Sequence, residues 1–200
     1  AVSDAFMQAV KDDADWPTQW PTKAVIAQQP EMAAKLRPGK TFKARELWRT
    51  ICQSAWATAE PGVVFIDRYN DWNNTWYYQT IRCTNPCGEQ GISPWSVCNL
   101  AALNLSSFVD GPIGRGTFDY AALERFARIG QRFSDNVIDA NRYFIQENED
   151  EQLGTRRTGL GTMGLADALI QMGLRYGSAE AEAVVERIYK TIRDAAYDES

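Results

Sequence analysis

The clearest helical pattern of apolar residues lies between residues 119 and 143. Charged and polar residues separate the members of its apolar stripe, which are Leu123, Phe126, Phe133, Val137 and Ile138. Positions three, four and seven residues apart share one side of an α-helix, so this stretch predicts an amphipathic helix. Asp119 is the expected N-cap, because its short carboxylate can accept a hydrogen bond from the first turn.

A second helical stripe runs through residues 43–59, where Leu47, Ile51 and Ala55 recur at helical spacing. Trp48 and Cys52 lie next to these positions. Free cysteines are among the most buried residue types, so we expect Cys52 in the core of this helix rather than in a catalytic site.

Shorter patterns predict two further helices. Residues 4–13 carry apolar residues at helical spacing behind a possible cap, Ser3 or Asp4. The stretch SAEAEAVVERIYKTIRDAAYDE is expected to be an amphipathic helix that begins behind Ser178.

Two stretches predict strands. The β-rich run PGVVFID (61–67) follows a turn-forming Pro-Gly and is expected to be a buried strand that leads into a loop. The stretch RRTGLGTMGLADALIQMGL predicts a glycine-interrupted strand or turn that opens into a helix. Helices and short strands alternate, so the predicted fold class is α/β.

Two stretches are expected to be irregular. Residues 16–40 hold four of the eight prolines and predict an irregular surface excursion with at most one helical turn. The run QENEDEQ (146–152) predicts an acidic loop.

Composition narrows the class of protein. The chain has 200 residues, of which 44% are hydrophobic, enough for a packed core. The net charge of -5, with no basic tract, argues against nucleic acid as a partner. No apolar run approaches the ~20 residues of a membrane span, and no signal peptide is evident, so we expect a cytoplasmic protein without membrane association. The chain ends inside an apparently helical segment without a capping signal there, so we also expect a fragment of a longer subunit.

The chain contains no histidine and four cysteines. The absence of histidine removes Ser-His and Cys-His nucleophile pairs and most catalytic zinc sites. Cys83, Cys87 and Cys98 match no Cys-x-x-Cys pattern and lack a fourth ligand unless Cys52 joins them, so a zinc or iron-sulfur site is disfavoured and no metal ligand is assigned.

The loop NPCGEQ (85–90) holds one thiol between a proline and a Gly-Glu pair. Pro86 restricts the backbone, while Gly88 permits a close approach of a ligand. Glu89 disfavours a thiolate at Cys87 by charge repulsion, so we expect a neutral S–H, which can exchange a hydrogen atom with a radical. The alternative is an ordinary tight turn with a buried cysteine.

The glycines Gly159, Gly161 and Gly164 match the spacing G-x-G-x-x-G of dinucleotide-binding loops. The preceding residues EDEQLGTRRT form no hydrophobic strand, and no acidic residue follows at the expected distance. Packing of a helix against a strand is therefore the expected use of these glycines.

Four stretches carry a resemblance to a known family: NPCGEQ (85–90), SVCNLAALNL (96–105), EPGVVFIDRYN (60–70) and RRTGLGTMGLADAL (156–169). Together they resemble the catalytic subunit of class II, adenosylcobalamin-dependent ribonucleotide reductases. The Pro-Cys-Gly form of the loop is more typical of this class than of the class whose radical comes from a separate metal-containing subunit. The resemblance implies that residues 1–200 are a middle segment of a single catalytic domain, a ten-stranded α/β barrel whose central finger loop is 85–90.

The resemblance also implies the reaction, the thiyl-radical reduction of ribonucleotides to the 2'-deoxyribonucleotides that DNA replication uses. Cys87 would carry the radical that abstracts the 3'-hydrogen, Glu89 would be the general base on the 3'-hydroxyl, and Asn85 would orient the substrate. Cys98 would be one of two cysteines that supply reducing equivalents and end as a disulfide, with its partner upstream of this segment. Cys83 departs from the small apolar residue more usual in the family, and we expect it to be a packed bystander.

The implied cofactor is adenosylcobalamin, although no residue can be assigned to bind it. The implied partners are a ribonucleoside di- or triphosphate substrate, a nucleotide effector bound outside this segment and a thioredoxin-type reductant. The complete subunit would be a monomer or homodimer, and the segment alone would be inactive. Three alternatives stay open: an inactive scaffold of the same family, a large subunit served by a separate radical-generating subunit, and a small thiol-redox or metal module.

Overall fold

The computed structural model describes residues 1–200, with the side chains of Ala24 and Gln28 excepted. The backbone forms two compact units, Ala1–Pro94 and Trp95–Ser200. The prediction of a single catalytic domain stays a prediction.

The first unit contains four helices and four strands among its described residues. In chain order these are α1 (Asp4–Asp12), β1 (Asp15–Trp20), α2 (Lys23–Gln28), β2 (Arg37–Lys43), α3 (Ala44–Thr58), α4 (Ile66–Asp71), β3 (Cys83–Thr84) and β4 (Gly91–Ile92). A 3₁₀ segment, Pro30–Lys35, lies between α2 and β2.

Helix α1 begins as the sequence predicts. Its N-cap is Ser3, whose Oγ accepts a hydrogen bond of 3.1 Å from the backbone N–H of Phe6. The ring of Phe6 is buried and lies edge-on to the rings of Trp16 and Trp48, with centroids 5.3 and 6.5 Å away. These three aromatic rings join α1, β1 and α3, so the core of the first unit is small and aromatic.

The prediction for residues 16–40 is wrong in one respect. Most of this stretch is exposed, as expected, but it is regular: β1 and β2 form an antiparallel ribbon in which Trp16 pairs with Phe42. A two-stranded ribbon has only edge strands, where a proline without an N–H is tolerated. Pro30 stands in the first turn of its 3₁₀ segment, where its missing N–H costs nothing.

Helix α3 confirms the helix predicted for residues 43–59, but the position predicted for Cys52 is wrong. Its side chain is exposed. The inward stripe consists of the fully buried Ala44 and the half-buried Leu47, Trp48, Ile51 and Ala55. Cys52 follows Ile51 by one residue, a rotation of about 100° around the helix, so it turns away from that stripe.

The buried strand predicted at 61–67 is also absent. The stretch makes one isolated parallel bridge, between Val2 and Phe65, before α4 begins at Ile66. A strand is stabilised by successive backbone partners, and here Val2 alone provides both hydrogen bonds, at 2.8 and 3.1 Å. High β-propensity did not compensate for the missing partners.

The second unit is built around a parallel strand pair. In chain order its described elements are β5 (Asn99–Asn104), β6 (Val109–Asp110), β7 (Thr117–Phe118), α5 (Tyr120–Ala140), α6 (Gln146–Thr155), β8 (Thr158–Met163), α7 (Leu165–Met172) and α8 (Ala179–Glu199). Strands β5 and β8 pair in parallel from Asn99 opposite Thr158 to Asn104 opposite Met163.

Helices α5 and α8 confirm the two longest amphipathic predictions. Asp119 Oδ1 caps α5 through the N–H of Ala122, and Ser178 Oγ caps α8 through the N–H of Ala181. One face of each helix buries a continuous core with the strand ends: Leu105, Phe108, Phe118, Leu123, Ala127, Ala168, Ile188, Ile192 and Ala195. Of the stripe predicted for α5, Leu123 and Ile138 are buried, whereas Phe126, Phe133 and Val137 are exposed. Strand β8 followed by α7 confirms the predicted glycine-interrupted strand that opens into a helix.

The acidic loop predicted at 146–152 is instead part of α6. Glu and Gln are good helix formers, and Glu147 and Glu149 in the first turn interact favourably with the helix dipole. Gln152 is buried, and its Nε2 donates to the carbonyl oxygen of Arg157 at 3.3 Å. Arg156 ends the helix in a left-handed conformation and forms ion pairs with Asp135 and Asp139 of α5, at 2.9 and 2.8 Å.

The mixture of helices and strands confirms the α/β class. The strands form four two-stranded sheets, and the described residues do not form a closed barrel. In the part of the chain that the structure describes, no helix is both long and apolar enough to cross a membrane.

Candidate active-site hairpin

The loop 85–90 is the tip of a short β-hairpin. Strands β3 and β4 pair with Cys83 opposite Ile92 and Thr84 opposite Gly91. The backbone N–H of Asn85 continues the ladder by donating to the carbonyl oxygen of Gln90, at 3.2 Å. The loop is therefore closed at its base and its six residues project as a unit.

The turn at the tip is formed by Asn85, Pro86, Cys87 and Gly88. The N–H of Gly88 donates to the carbonyl of Asn85 at 3.0 Å, which closes a β-turn with proline at its favoured second position. Gly88 has φ of +84°, a left-handed conformation that glycine adopts without strain. A Cβ at this position would meet no atom within 4 Å, so the backbone, and not packing, requires glycine.

The side chain of Asn85 connects both sides of the loop. Its Oδ1 accepts a hydrogen bond of 3.0 Å from the N–H of Gln90, and its Nδ2 donates to the carboxylate of Glu89. With these two side-chain bonds and its backbone bonds, Asn85 makes most of the hydrogen bonds that hold the loop closed. The carboxylate of Glu89 is consequently held on the same hairpin as the thiol of Cys87.

Cys87 lies at the second central position of the turn, and its side chain is exposed. The alternative of a buried, purely structural cysteine is therefore wrong. Asn85, Cys87 and Glu89 are brought together by six residues of sequence, as expected, but their roles in a reaction stay predictions.

Helix α4 anchors the hairpin through a residue that the sequence analysis missed. The amide of Asn70 donates to the carbonyl of Ile81 at 3.0 Å and accepts from the N–H of Ile81 at 2.9 Å. The ring of Tyr69 lies so close to Gly91 that a Cβ there would be 2.5 Å from it. An asparagine eleven residues before its backbone partner has no local signature, so only the structure reveals this anchor.

Cys83 is exposed in β3 and its Sγ lies 3.6 Å from the carbonyl oxygen of Ile92, as a weak donor. The prediction that it is packed beside the loop is therefore wrong, because its side chain lies in solvent. All four cysteines are free thiols in the structure.

Cys98 belongs to the second unit and directly precedes β5. Its side chain is half-buried. The next residue, Asn99, donates through Nδ2 to the carbonyl of Ser134 on α5 at 2.5 Å, which fixes the start of the strand. The structure thus groups the three loop residues and places Cys98 in the other unit.

Of the three glycines with dinucleotide-like spacing, Gly164 confirms the packing interpretation. It has φ of +71° at the start of α7, and a Cβ there would lie 2.4 Å from Asn104 Oδ1 at the end of β5. Gly161 has no such constraint, because a Cβ would reach only the carbonyl of Ala101, at 3.6 Å. Among the described residues, no group of three or more Cys, Asp or Glu side chains could hold a metal ion.

Comparison with known proteins identifies the class to which this fold and hairpin belong. The sequence model of the family described as "Ribonucleotide reductase, barrel domain" matches residues 1–200. The chain therefore belongs to the ribonucleotide reductase barrel-domain family.

Particular relatives are consistent with this assignment. The chain is 40% identical over 162 residues to a vitamin B12-dependent ribonucleoside-diphosphate reductase of Thermoplasma acidophilum, covering 80% of the chain and 21% of the relative. It is 36% identical over 200 residues to a protein of the same name from Mycobacterium tuberculosis, covering 100% of the chain and 26% of the relative. A ribonucleoside-diphosphate reductase large subunit of Variola virus is 32% identical, and the match covers 100% of the chain and 27% of that protein. The chain thus spans about a quarter of the length of these relatives.

Proposed function

We propose that this chain is the part of a vitamin B12-dependent ribonucleoside-diphosphate reductase that carries the radical cysteine, and that the complete subunit reduces ribonucleoside diphosphates to 2'-deoxyribonucleoside diphosphates. The observation that carries the proposal is the hairpin tip, where the exposed thiol of Cys87 and the Asn85-bound carboxylate of Glu89 project from one closed loop. The names of the relatives, ribonucleoside-diphosphate reductases, support the diphosphate form of the substrate.

In this proposal Cys87 acts as a neutral thiol. Loss of its hydrogen atom leaves a thiyl radical, which abstracts the 3'-hydrogen of the ribose. Glu89 accepts the proton of the 3'-hydroxyl, and the 2'-hydroxyl leaves as water. The hydrogen bond from Asn85 supports this role, because it holds the carboxylate in place before the substrate arrives, and such positioning lowers the cost of ordering in the transition state.

Adenosylcobalamin fits the hairpin on one point of geometry. The thiol of Cys87 is exposed, so a hydrogen-atom acceptor has room to approach the sulfur. When bound, this cofactor would supply a carbon-centred radical. The chain's own contribution is to present an intact S–H bond at the tip of a rigid turn. We assign no residue of this chain to cobalamin binding.

The remaining partners follow from the reaction. Cys98 and a cysteine outside this segment would give two electrons and two protons to the substrate and become a disulfide. A thioredoxin-type dithiol would then reduce that disulfide. A nucleotide effector would bind to parts of the subunit outside residues 1–200.

The test uses the complete subunit with adenosylcobalamin, a ribonucleoside diphosphate and a thioredoxin-type reductant. Cys87→Ser should abolish deoxynucleotide formation, whereas Cys98→Ser should permit radical formation but block turnover by the reductant. Cys52→Ser, which removes an exposed thiol on α3, should keep normal activity. Normal turnover by the Cys87→Ser subunit would refute the proposal.

A second candidate has one observation in its favour, the 32% identity to a large subunit that is not named as B12-dependent. In that case the radical would come from a separate metal-containing subunit, and Cys87 would keep its role. Replacing adenosylcobalamin in the assay by a separate radical-generating subunit distinguishes the two, since only the second candidate is then active. An inactive scaffold would show no turnover under either condition.

A further inference from the structure

The strand pair β5–β8 has one face covered by helices. Leu160 of β8 packs against α5, where a Cβ on Gly130 would lie 3.0 Å from its Cδ1. Thr158 Oγ1 donates to Gln131 of α5 at 3.2 Å, and the hydroxyls of Thr162 and Tyr189 of α8 lie 2.8 Å apart. Alternate residues of β8, beginning with Thr158, therefore face the helices.

The opposite face of the same strand pair is bare. Side chains alternate along a strand, so Gly159, Gly161 and Met163 of β8 face away from the helices, together with Leu100 of β5. Met163 and Leu100 are each 57% exposed. Two of these positions are glycines without side chains, and a Cβ on Gly161 would reach only the carbonyl oxygen of Ala101, at 3.6 Å.

Cys98 and Arg157 occupy equivalent positions, each just before the N-terminal end of its strand. Each directly precedes the first paired residue of its strand, Asn99 and Thr158 respectively, and those two residues are register partners. Continuing the parallel register and the alternation by one residue places Cys98 beside Arg157 on the bare face. The backbone carbonyl of Arg157 accepts a bond of 3.3 Å from Gln152 Nε2, and its side-chain Nε is shielded from solvent.

The other charged groups around this point lie on α5 and α6. Arg156 is neutralised by Asp135 and Asp139 of α5, through contacts of 2.9 and 2.8 Å. Glu151 of α6 accepts a bond of 2.8 Å from Ser96, two residues before Cys98, and so places an anion near the thiol. A lone anion there would disfavour a thiolate, and a cation beside the sulfur would offset it.

We propose that Arg157 is a positioning residue that favours the thiolate form of Cys98. The inference rests on the proposed function for what the thiolate does. When a thiolate of the dithiol reductant attacks the partner sulfur in the disulfide of Cys98, a new S–S bond forms, the old one breaks, and Cys98 leaves with the electron pair. The second thiol of the reductant then displaces the partner cysteine. A cation next to Cys98 speeds the first step, because a better-stabilised thiolate leaves faster.

The experiment follows alkylation of the reduced complete subunit by iodoacetamide between pH 5 and pH 10, with the Cys98 peptide quantified by mass spectrometry. Arg157→Met should lower the Cys98 rate at pH 7 roughly tenfold and raise the pH of half-maximal rate by about one, because a nearby cation changes the thiolate population on this scale. Arg157→Lys, which keeps the charge, should restore most of the rate. The exposed Cys52, quantified in the same samples, serves as the internal control and should not change.

Glu151→Gln removes the opposing anion and should raise the Cys98 rate at pH 7. Arg157→Gln replaces the methionine variant if the latter does not fold. Unchanged Cys98 profiles in the Arg157 variants would overturn the proposal. Because alkylation involves neither cobalamin nor substrate, that result would leave the proposed reductase activity intact, whereas turnover by Cys87→Ser would not.

Discussion

The hairpin that carries Cys87 and the strand that follows Cys98 are held in place by different kinds of contacts. In the hairpin, Asn85 bonds to Gln90 and Glu89, partners no more than five residues away. At Cys98, the neighbouring Asn99 bonds to a residue 35 positions along the chain, and Ser96 to one 55 positions along. The first site is therefore organised by its own sequence, whereas the second exists only when distant segments have packed.

Because of this difference, substitutions in the hairpin should mainly affect the reaction, whereas substitutions around Cys98 should mainly affect stability. A self-contained loop can lose a functional group without loss of the surrounding fold, since its hydrogen bonds are local. A strand start that depends on α5 and α6 should respond to changes in the core. The following predictions test this separation.

The largest expected effect is on catalysis by the hairpin. Glu89→Gln in the complete subunit removes the group that accepts a proton, so kcat should fall by about 10²- to 10⁴-fold, the usual contribution of a general base. The melting temperature should stay close to that of the parent, because Gln can still accept the bond from Asn85. Steady-state kinetics and thermal unfolding measure both, with Glu60→Gln, an exposed acid in the same unit, as the matched control. A large loss of stability in Glu89→Gln would contradict the claim that the hairpin is held by local contacts alone.

In the second unit, by contrast, the expected effect of a core substitution is on stability. Leu123 is fully buried between α5 and the strand ends, so Leu123→Ala should lower the free energy of unfolding by about 2–5 kcal/mol through the cavity it leaves. Ile129 on the same helix is 54% exposed, and Ile129→Ala should cost about 1 kcal/mol or less. Denaturant unfolding measures the two values. Equal losses would mean that α5 does not pack as described.

A smaller effect is expected from Gly88→Ala. The methyl group has free space, but a non-glycine residue at φ of +84° is strained, so the native turn should be destabilised by about 1–2 kcal/mol. Because the loop is local, the loss should appear as increased amide exchange at residues 85–90, with little change elsewhere. Gly62→Ala, another glycine with open surroundings and without a positive φ, is the control. Uniform exchange increases across the first unit would contradict the local character of the loop.

The smallest effect concerns the ion pairs of Arg156. Hydrogen bonds from Arg156 lower the pKa of Asp139 below its ordinary value of 3.8. A carboxylate with a lowered pKa in the folded state stabilises the fold above the unfolded value and loses this contribution as pH falls through the folded value. Asp139→Asn should therefore flatten the decrease of melting temperature below about pH 4. If the melting temperature of Asp139→Asn falls below about pH 4 as steeply as that of the parent, this exposed ion pair contributes nothing measurable to stability.

The sequence predicted the helices well wherever apolar periodicity and a capping residue coincided. Ser3, Asp119 and Ser178 each cap the helix that their position indicates. Capping and periodicity act over a few residues, so they do not depend on the rest of the fold. The predictions failed at 16–40 and at 61–67, where backbone pairing with other segments, or its absence, decided the outcome. The helix α6 was missed although its Glu and Gln residues are good helix formers.

In the candidate site too, some features follow from the local sequence and others only from the fold. The stiffness of the loop and the nearby carboxylate follow from the six residues Asn-Pro-Cys-Gly-Glu-Gln, because proline, glycine and a short amide side chain restrict a turn locally. The exposure of the thiol did not follow from them, and the structure decided it. The anchoring of the hairpin by Asn70 does not follow from them, since that contact joins α4 to a segment eleven residues away. The environment of Cys98 likewise had no signature in the sequence.

By itself, the sequence determined the chemistry that the chain offers: a cysteine in a rigid turn with an acid two residues away, in a chain without histidine. Only the tertiary structure decided which face of β5–β8 stays uncovered, and which charges therefore lie near Cys98. The physical reason is that covalent spacing limits local geometry directly, whereas burial and charge pairing depend on free energies summed over segments far apart in the chain.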